Sequence, residues 1–97
     1  MTVRYSRRAL TQLEEIFAYL AEHSPEVASA AKTRFESLAS MLARRPGISR
    51  TTDLKNVRVF RAAPYPYLIF YKTGRHDEIV ILRVRHTARN LDWRSGY

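Results

Sequence analysis

The sequence predicts an α+β fold in the order β-α-α-β-β-β, with a helical hairpin packed on one face of an antiparallel sheet. In the first half of the chain apolar residues recur every three or four positions, which is typical of amphipathic helices. In the second half the period changes to two, which is typical of strands. The chain has 97 residues, the length of one small domain, so we expect a single domain over 1–97.

A short strand followed by a helix is predicted at the start of the chain. Strand-forming residues alternate over 2–5, and Ser6 then offers an N-cap. The helix is predicted from about residue 7 to residue 22. Its apolar stripe consists of Leu10, Leu13, Phe17 and Leu20.

A second helix is predicted directly afterwards. Ser24 and Pro25 form its start signal, since proline is favoured at the first helical position. Its apolar stripe consists of Ala28, Ala31, Phe35, Leu38 and Leu42, and Pro46 with Gly47 ends it. Because only about three residues join the two helices, we expect them to form an antiparallel hairpin.

Three strands are predicted after a polar, turn-like segment over 48–56. They cover 57–60, 67–71 and 78–86, with turns at 63–64 and 73–77. Regular alternation in the last strand places Val80, Leu82, Val84 and His86 on one face, and Ile79, Ile81, Arg83 and Arg85 on the other. The middle strand is apolar on both faces, although the chain supplies helices for one. We therefore expect the second face to be covered by the tail, with Leu91 and Trp93, or by another protein.

The charge of the chain is strongly positive and unevenly distributed. The chain has 17 Lys and Arg against 9 Asp and Glu, a formal net charge of +8, and most of the excess lies after residue 53. Fourteen of the cations are arginine, whose planar guanidinium suits carboxylates and phosphates. With 45% hydrophobic residues the chain is expected to fold, so a disordered basic tail is excluded. We expect an acidic partner, either nucleic acid or an acidic protein segment.

Several classes of site and location are not expected from this composition. The chain has no cysteine, which excludes disulfides and thiolate chemistry, and its three histidines are scattered. We therefore expect no metal and no cofactor. No apolar run reaches the length of a signal peptide or of a membrane-spanning helix, so we expect a cytoplasmic protein without a membrane partner.

The chemistry-bearing residues concentrate at the end of the last predicted strand. Arg83 and Arg85 project from one face, and Arg58 or Arg61 joins them if the register allows. We expect neighbouring cations to lower the proton affinity of His86, so that a neutral imidazole among arginines resembles a general base with electrostatic stabilisers. Such a set could cleave RNA. The alternative is that His86 is a hydrogen-bonded residue at the edge of the core and that the arginines form a solvated face.

Three strings along the chain together resemble a known family. They are VRYSRRALTQLEEIFAYLAEHSPEVA, PYPYLIFYKT and EIVILRVRHTARNL. Their order over nearly the whole chain resembles the RelE/ParE superfamily of type II toxin–antitoxin toxins, with the ParE branch most similar. The resemblance implies a bacterial growth-arresting toxin of the plasmid-stabilisation type, held inactive by an acidic ParD-like antitoxin in a hetero-oligomer.

The two branches of the superfamily differ in target. ParE-like members poison DNA gyrase and are not known as enzymes, whereas RelE-like members cut messenger RNA in the ribosomal A site. The ribonuclease branch places an arginine within the middle strand, where this chain has Leu68 and no cation. We therefore expect gyrase inhibition rather than enzymatic activity. The alternatives are a ribosome-dependent endoribonuclease using His86, Arg83 and Arg85, and a non-toxic nucleic-acid-binding module.

Two sets of binding residues are predicted on this basis. The candidates for target binding lie in the tail and are Arg89, Trp93 and Arg94. The candidates for antitoxin binding are Arg58, Arg61, Tyr67, Ile69, Tyr71, Arg83 and Arg85. An acidic, apolar segment would satisfy both the charge and the uncovered apolar face, so we expect direct nucleic-acid binding to be secondary.

Overall fold

The α+β class and the element order of the prediction are confirmed. The computed structural model describes residues 2–76 and 78–87. The elements are β1 (Val3–Tyr5), α1 (Arg7–His23), α2 (Pro25–Arg44), a short 3-10 helix (Pro46–Ile48), β2 (Arg50–Thr51), β3 (Arg58–Arg61), β4 (Tyr67–Thr73) and β5 (Ile79–His86). The two-residue β2 is additional and lies in the segment predicted to be a turn.

Each helix begins at a serine cap, as its sequence indicates. The Ser6 Oγ accepts from the Ala9 N–H at 3.0 Å, and the Ser24 Oγ accepts from the Val27 N–H at 3.2 Å. The Ser24 N–H also donates to the Leu20 carbonyl at 2.9 Å. One residue therefore ends α1 and caps α2, so the hairpin connection is shorter than the three residues expected.

The five strands form one sheet in the order β1-β5-β4-β3-β2. The strands β3, β4 and β5 pair antiparallel, as the predicted meander requires. The first strand, β1, pairs parallel with β5. This parallel edge was not part of the predicted antiparallel sheet, and it is possible because the two helices provide the long connection that parallel strands need.

Both helices pack on one face of the sheet, which we call the covered face. Its core contains Ala9, Leu13, Phe35, Leu38 and Leu42 from the helices, with Tyr67, Ile69, Tyr71, Ile79, Ile81 and Val84 from the strands. Leu10, although part of the predicted apolar stripe, lies outside this core: it is 49% exposed, and Ala9 is buried instead. A second cluster on the opposite face consists of strand and loop residues, namely Val57, Val59 and Phe70 with Leu68 and Leu82.

A polar group in the covered layer ties the connection after α2 to the sheet. The Tyr71 hydroxyl donates to the Pro46 carbonyl at 2.8 Å and is hydrogen-bonded to the Ser49 hydroxyl. The Arg58 guanidinium donates to the Ser49 carbonyl at 2.7 Å. Burial raises the pKa of Tyr71, and the Ser49 hydrogen bond and the charge of Arg58 oppose this only in part.

A β-bulge in β5 changes which residues share a face. The register pairs Tyr71 with Ile81 but Phe70 with Arg83, so Leu82 is an extra residue. The alternation predicted for this strand is therefore wrong. Ile79, Ile81, Val84 and His86 share the covered face, and Val80, Leu82, Arg83 and Arg85 share the other.

No helix of residues 2–76 and 78–87 is both long enough and apolar enough to cross a membrane.

Candidate binding face

The face of the sheet opposite the helices collects the basic residues of the strands, and we call it the basic face. Directly paired residues of neighbouring strands share a face, so the register assigns each side chain. The residues on this face are Arg4, Arg50, Arg61, Lys72, Arg83 and Arg85. No described strand contains Asp or Glu.

The cations flank apolar residues in rows that run across the strands. One row is Arg61, Leu68 and Arg85; the next is Arg50, Val59, Phe70 and Arg83. Since neighbouring strands lie about 4.8 Å apart, the Cα atoms of Arg61 and Arg85 are roughly 10 Å from each other. An apolar strip along β3 and β4 thus has arginines on both sides.

A third row adds Lys72, Val80 and Arg4. In this row Arg4 forms an ion pair with Glu78. The Arg4 Nη2 lies 3.4 Å from the Glu78 Oε1, and the Arg4 side chain remains 66% exposed. A pair this exposed contributes at most about 1 kcal/mol to stability. It partly neutralises this end of the basic face.

The cations of the basic face differ in exposure. Arg50, Arg61 and Lys72 are exposed, whereas Arg83 and Arg85 are half-buried. In the row of Arg83, Val59 and Phe70 are 5% and 1% exposed. A guanidinium beside buried apolar surface is less screened by water than one in open solvent, so its attraction for a carboxylate is stronger.

His86 does not lie on this face. Its register partner is Tyr67, on the covered side, and the two rings meet edge to face with centroids 5.4 Å apart. Its neighbour in the chain, Arg85, projects from the basic face. The sheet therefore separates the imidazole from Arg83 and Arg85. A site for RNA cleavage that combines His86 as base with these arginines would be divided between the two faces.

The register distributes the predicted antitoxin-binding residues between the two faces. Arg61 joins Arg83 and Arg85 on the basic face, while Arg58 lies on the covered face and contacts Ser49. Tyr67, Ile69 and Tyr71 are buried in the core beneath the helices, at 7%, 2% and 0% exposure. The residues predicted to bind the target, Arg89, Trp93 and Arg94, lie outside the described residues.

Three basic-face residues were missed by the sequence prediction. Arg4 and Lys72 follow from the alternation of their strands, which could have identified them. Arg50 lies in β2, whose two residues are too few to show a period. Within residues 2–76 and 78–87, no group of His, Asp or Glu side chains could hold a metal ion.

Comparisons with known proteins agree with this fold. The chain is 32% identical over 84 residues to a protein of Sinorhizobium fredii named "Putative toxin Y4kP", covering 87% of this chain and 88% of the relative. A solved structure described as "Chromosomal ParDE TA system from P. aeruginosa" superposes with a TM-score of 0.73 at 24% identity. It covers 89% of this chain and 95% of its own.

The family comparison extends over most of the chain. The model of the ParE toxin of the type II toxin–antitoxin system parDE matches residues 3–91. This match includes both helices and all five strands. The chain therefore belongs to the ParE toxin family of type II toxin–antitoxin systems.

Proposed function

We propose that this chain is a growth-arresting toxin that inhibits DNA gyrase without being an enzyme, and that a ParD-like antitoxin neutralises it by binding the basic face. The observation that carries the antitoxin part is the charge distribution of the strands. They contain seven basic residues and no acidic one, whereas the two helices contain five of each.

The apolar strip favours a protein partner over a bare phosphate backbone. Leu68, between Arg61 and Arg85, and Leu82, next to Arg83 in β5, are both partly exposed. An acidic segment with apolar side chains would contact these two leucines and pair its carboxylates with Arg61 on one side and Arg85 on the other. A phosphate backbone would satisfy the arginines only. Direct nucleic-acid binding is therefore secondary in this proposal.

Gyrase is favoured as the target by family membership and by two features of the chain. Residues 67–71 of β4 contain no cation, where the ribonuclease branch has an arginine. His86 faces away from Arg83 and Arg85. Both features weaken the case for RNA cleavage by this chain. Since gyrase acts on the chromosome, the proposal implies a cytoplasmic protein.

Expression with and without the neighbouring small reading frame tests the toxin class. We expect growth arrest when the chain is expressed alone and normal growth when the neighbour is expressed with it. Normal growth in both cases, with salt-dependent binding of nucleic acid, would instead support a non-toxic nucleic-acid-binding module.

A supercoiling assay tests the target. Purified gyrase, relaxed plasmid and excess toxin should accumulate cleaved DNA, while the toxin mixed with its antitoxin should leave supercoiling unchanged. Undisturbed supercoiling at excess toxin would reject gyrase. In that case primer extension on translated messages would show codon-positioned cuts if the chain were a ribonuclease, and His86→Ala would abolish them.

Charge reversal tests the basic face itself. We expect Arg83→Glu or Arg85→Glu to weaken the antitoxin complex by more than about 1 kcal/mol, as for the loss of a charge-assisted contact. Arg8→Glu makes the same charge change at an exposed position of α1 and should alter the dissociation constant by less than about two-fold. An unchanged dissociation constant in both β5 variants would place the antitoxin elsewhere, for example along the helical hairpin.

A further inference from the structure

Ser6 makes an unusual pair of contacts with β5. Its N–H donates to the Ile81 carbonyl at 2.9 Å, and its Oγ donates to the Leu82 carbonyl at 2.8 Å. In a regular strand consecutive carbonyls point to opposite edges. Two consecutive carbonyls directed at one residue therefore mark the bulge at Leu82. The same Oγ caps α1 by accepting from the Ala9 N–H.

Gln12 makes the next contact along the same edge. Its Oε1 accepts from the Val84 N–H at 2.7 Å. The strand β1, which pairs with this edge up to Ile81, ends at Tyr5. Side chains of the Ser6 cap and of α1 thus replace a strand partner along the bulged part of β5.

The bulge decides where the two arginines of β5 point. Without the bulge, β5 would alternate regularly. Arg83 and Arg85 would then lie on the same face as Ile79 and Ile81, beneath the helices. Burying an unpaired charge costs several kcal/mol. The bulge returns Val84 to the core and directs both arginines to the basic face.

We propose that Ser6 and Gln12 are positioning residues for the basic face: by holding the bulge at Leu82, they set the direction of Arg83 and Arg85. The effect of these two residues on antitoxin binding rests on the proposed function, whereas their hydrogen bonds to β5 do not. Both residues act through the backbone of β5, Ser6 from the N-cap of α1 and Gln12 from the helix itself. The arginines of β2 and β3 are independent of this contact.

Gln12 offers the cleaner test, because Ser6 also caps a helix. Gln12→Met retains the length of the side chain but removes the acceptor, while Gln12→Glu retains an acceptor. We expect Gln12→Met to weaken the antitoxin complex about three- to ten-fold and Gln12→Glu to restore most of the affinity.

Double-mutant cycles separate positioning from a general loss of structure. Gln12→Met should be coupled to Arg85→Ala. When Arg85 is absent, the arginine that Gln12 positions is already lost, so Gln12→Met should weaken the complex less than it does in the wild-type chain. It should be additive with Arg61→Ala, on the far side of the apolar strip. Equal coupling to both arginines, or unchanged affinity in Gln12→Met, would overturn the proposal.

Amide hydrogen exchange of the free toxin gives a reading that needs no partner. The Val84 amide should exchange faster in Gln12→Met and return to the wild-type rate in Gln12→Glu. Faster exchange combined with wild-type antitoxin affinity would overturn the positioning role while leaving the contact intact. If Arg85→Ala itself did not weaken the complex, the proposed binding face and the positioning role would both fall, although the exchange result would stand.

Discussion

The two faces of the sheet use the same strands for different purposes. On the covered face Tyr67, Ile69 and Tyr71 of β4 pack under both helices and are at most 7% exposed. On the basic face Leu68 of β4 lies between Arg61 of β3 and Arg85 of β5, and Phe70 lies between Val59 and Arg83. The helices are neutral as a pair, so the net charge of the described elements comes from the strands. A residue's position in the alternation therefore decides whether it packs in the main core or lies on the face that we propose binds the antitoxin.

The largest expected effect compares two neighbours in β4. Ile69, 2% exposed, contacts the helices, and Leu68 is half-buried on the basic face. Ile69→Ala should lower the free energy of unfolding by about 2–5 kcal/mol, because it opens a cavity in the main core. Leu68→Ala should cost less than about 1.5 kcal/mol. Urea denaturation of both variants would measure this, and equal losses would contradict the separation of the faces.

The next effect compares two arginines of β3. Arg58 donates to the Ser49 carbonyl on the covered side, whereas Arg61 is exposed on the basic face. Arg58→Met should lower the free energy of unfolding by about 1–2 kcal/mol and leave antitoxin affinity nearly unchanged. Arg61→Met should do the reverse, with stability within about 0.5 kcal/mol of wild type and a several-fold weaker complex. Calorimetric titration with the antitoxin and urea denaturation together test the crossed pattern. A loss of affinity as large for Arg58→Met as for Arg61→Met would break it.

The elements that the sequence predicted correctly are those with local signals. The stripes and serine caps of the helices are visible within a few residues, and so is the alternation of β3 and β4. The bulge at Leu82 has no such signal, because its contacts are distant in the chain: Ser6 bonds Leu82 from 76 positions away, and Gln12 bonds Val84 from 72. The parallel pairing of β1 with β5 is equally non-local.

The residues of the candidate site were also predictable only where the signal was local. Arg83 and Arg85 share a face in any register that has no bulge between them, since they are two residues apart. The choice between Arg58 and Arg61 depended on the pairing of β3 with β4, which periodicity cannot supply. Alternation also cannot say which face of β4 the helices cover, so Tyr67 and Tyr71 were assigned to the binding surface although they lie in the core.

The buried hydroxyl of Tyr71 makes the covered face sensitive to alkaline pH. Because burial raises its pKa above the unfolded value of about 10, the folded state binds the phenol proton more tightly than the unfolded chain. This contribution to stability is fully present below pH 10 and is lost as pH rises through 10 toward the folded pKa. Burial also raises the pKa of Tyr5, which adds to the same trend.

Tyr71→Phe tests this assignment. It should lower the free energy of unfolding at pH 7 by about 1–2 kcal/mol, because the Pro46 carbonyl loses its donor, and make the fall above pH 10 shallower. Tyr19→Phe, at a 57% exposed position, serves as the control and should leave both quantities near wild type. Urea midpoints between pH 7 and 11 measure them. If the stability of Tyr71→Phe fell above pH 10 as steeply as that of the wild type, the loss of stability at alkaline pH would come from other groups.

The smallest effect concerns Glu78, which contacts Arg4 at one end of the basic face. Its carboxylate lies 3.4 Å from the Arg4 guanidinium, and that arginine is mostly exposed. Glu78→Gln should therefore change stability by less than about 1 kcal/mol. It removes one negative charge from the face that we propose binds an acidic antitoxin, so the antitoxin complex should tighten by about two-fold at low salt. The gain should disappear at about 0.5 M salt, where the Debye length is shorter than the width of the face. Weaker binding in Glu78→Gln would mean that the partner approaches this end of the sheet with a donor rather than a carboxylate.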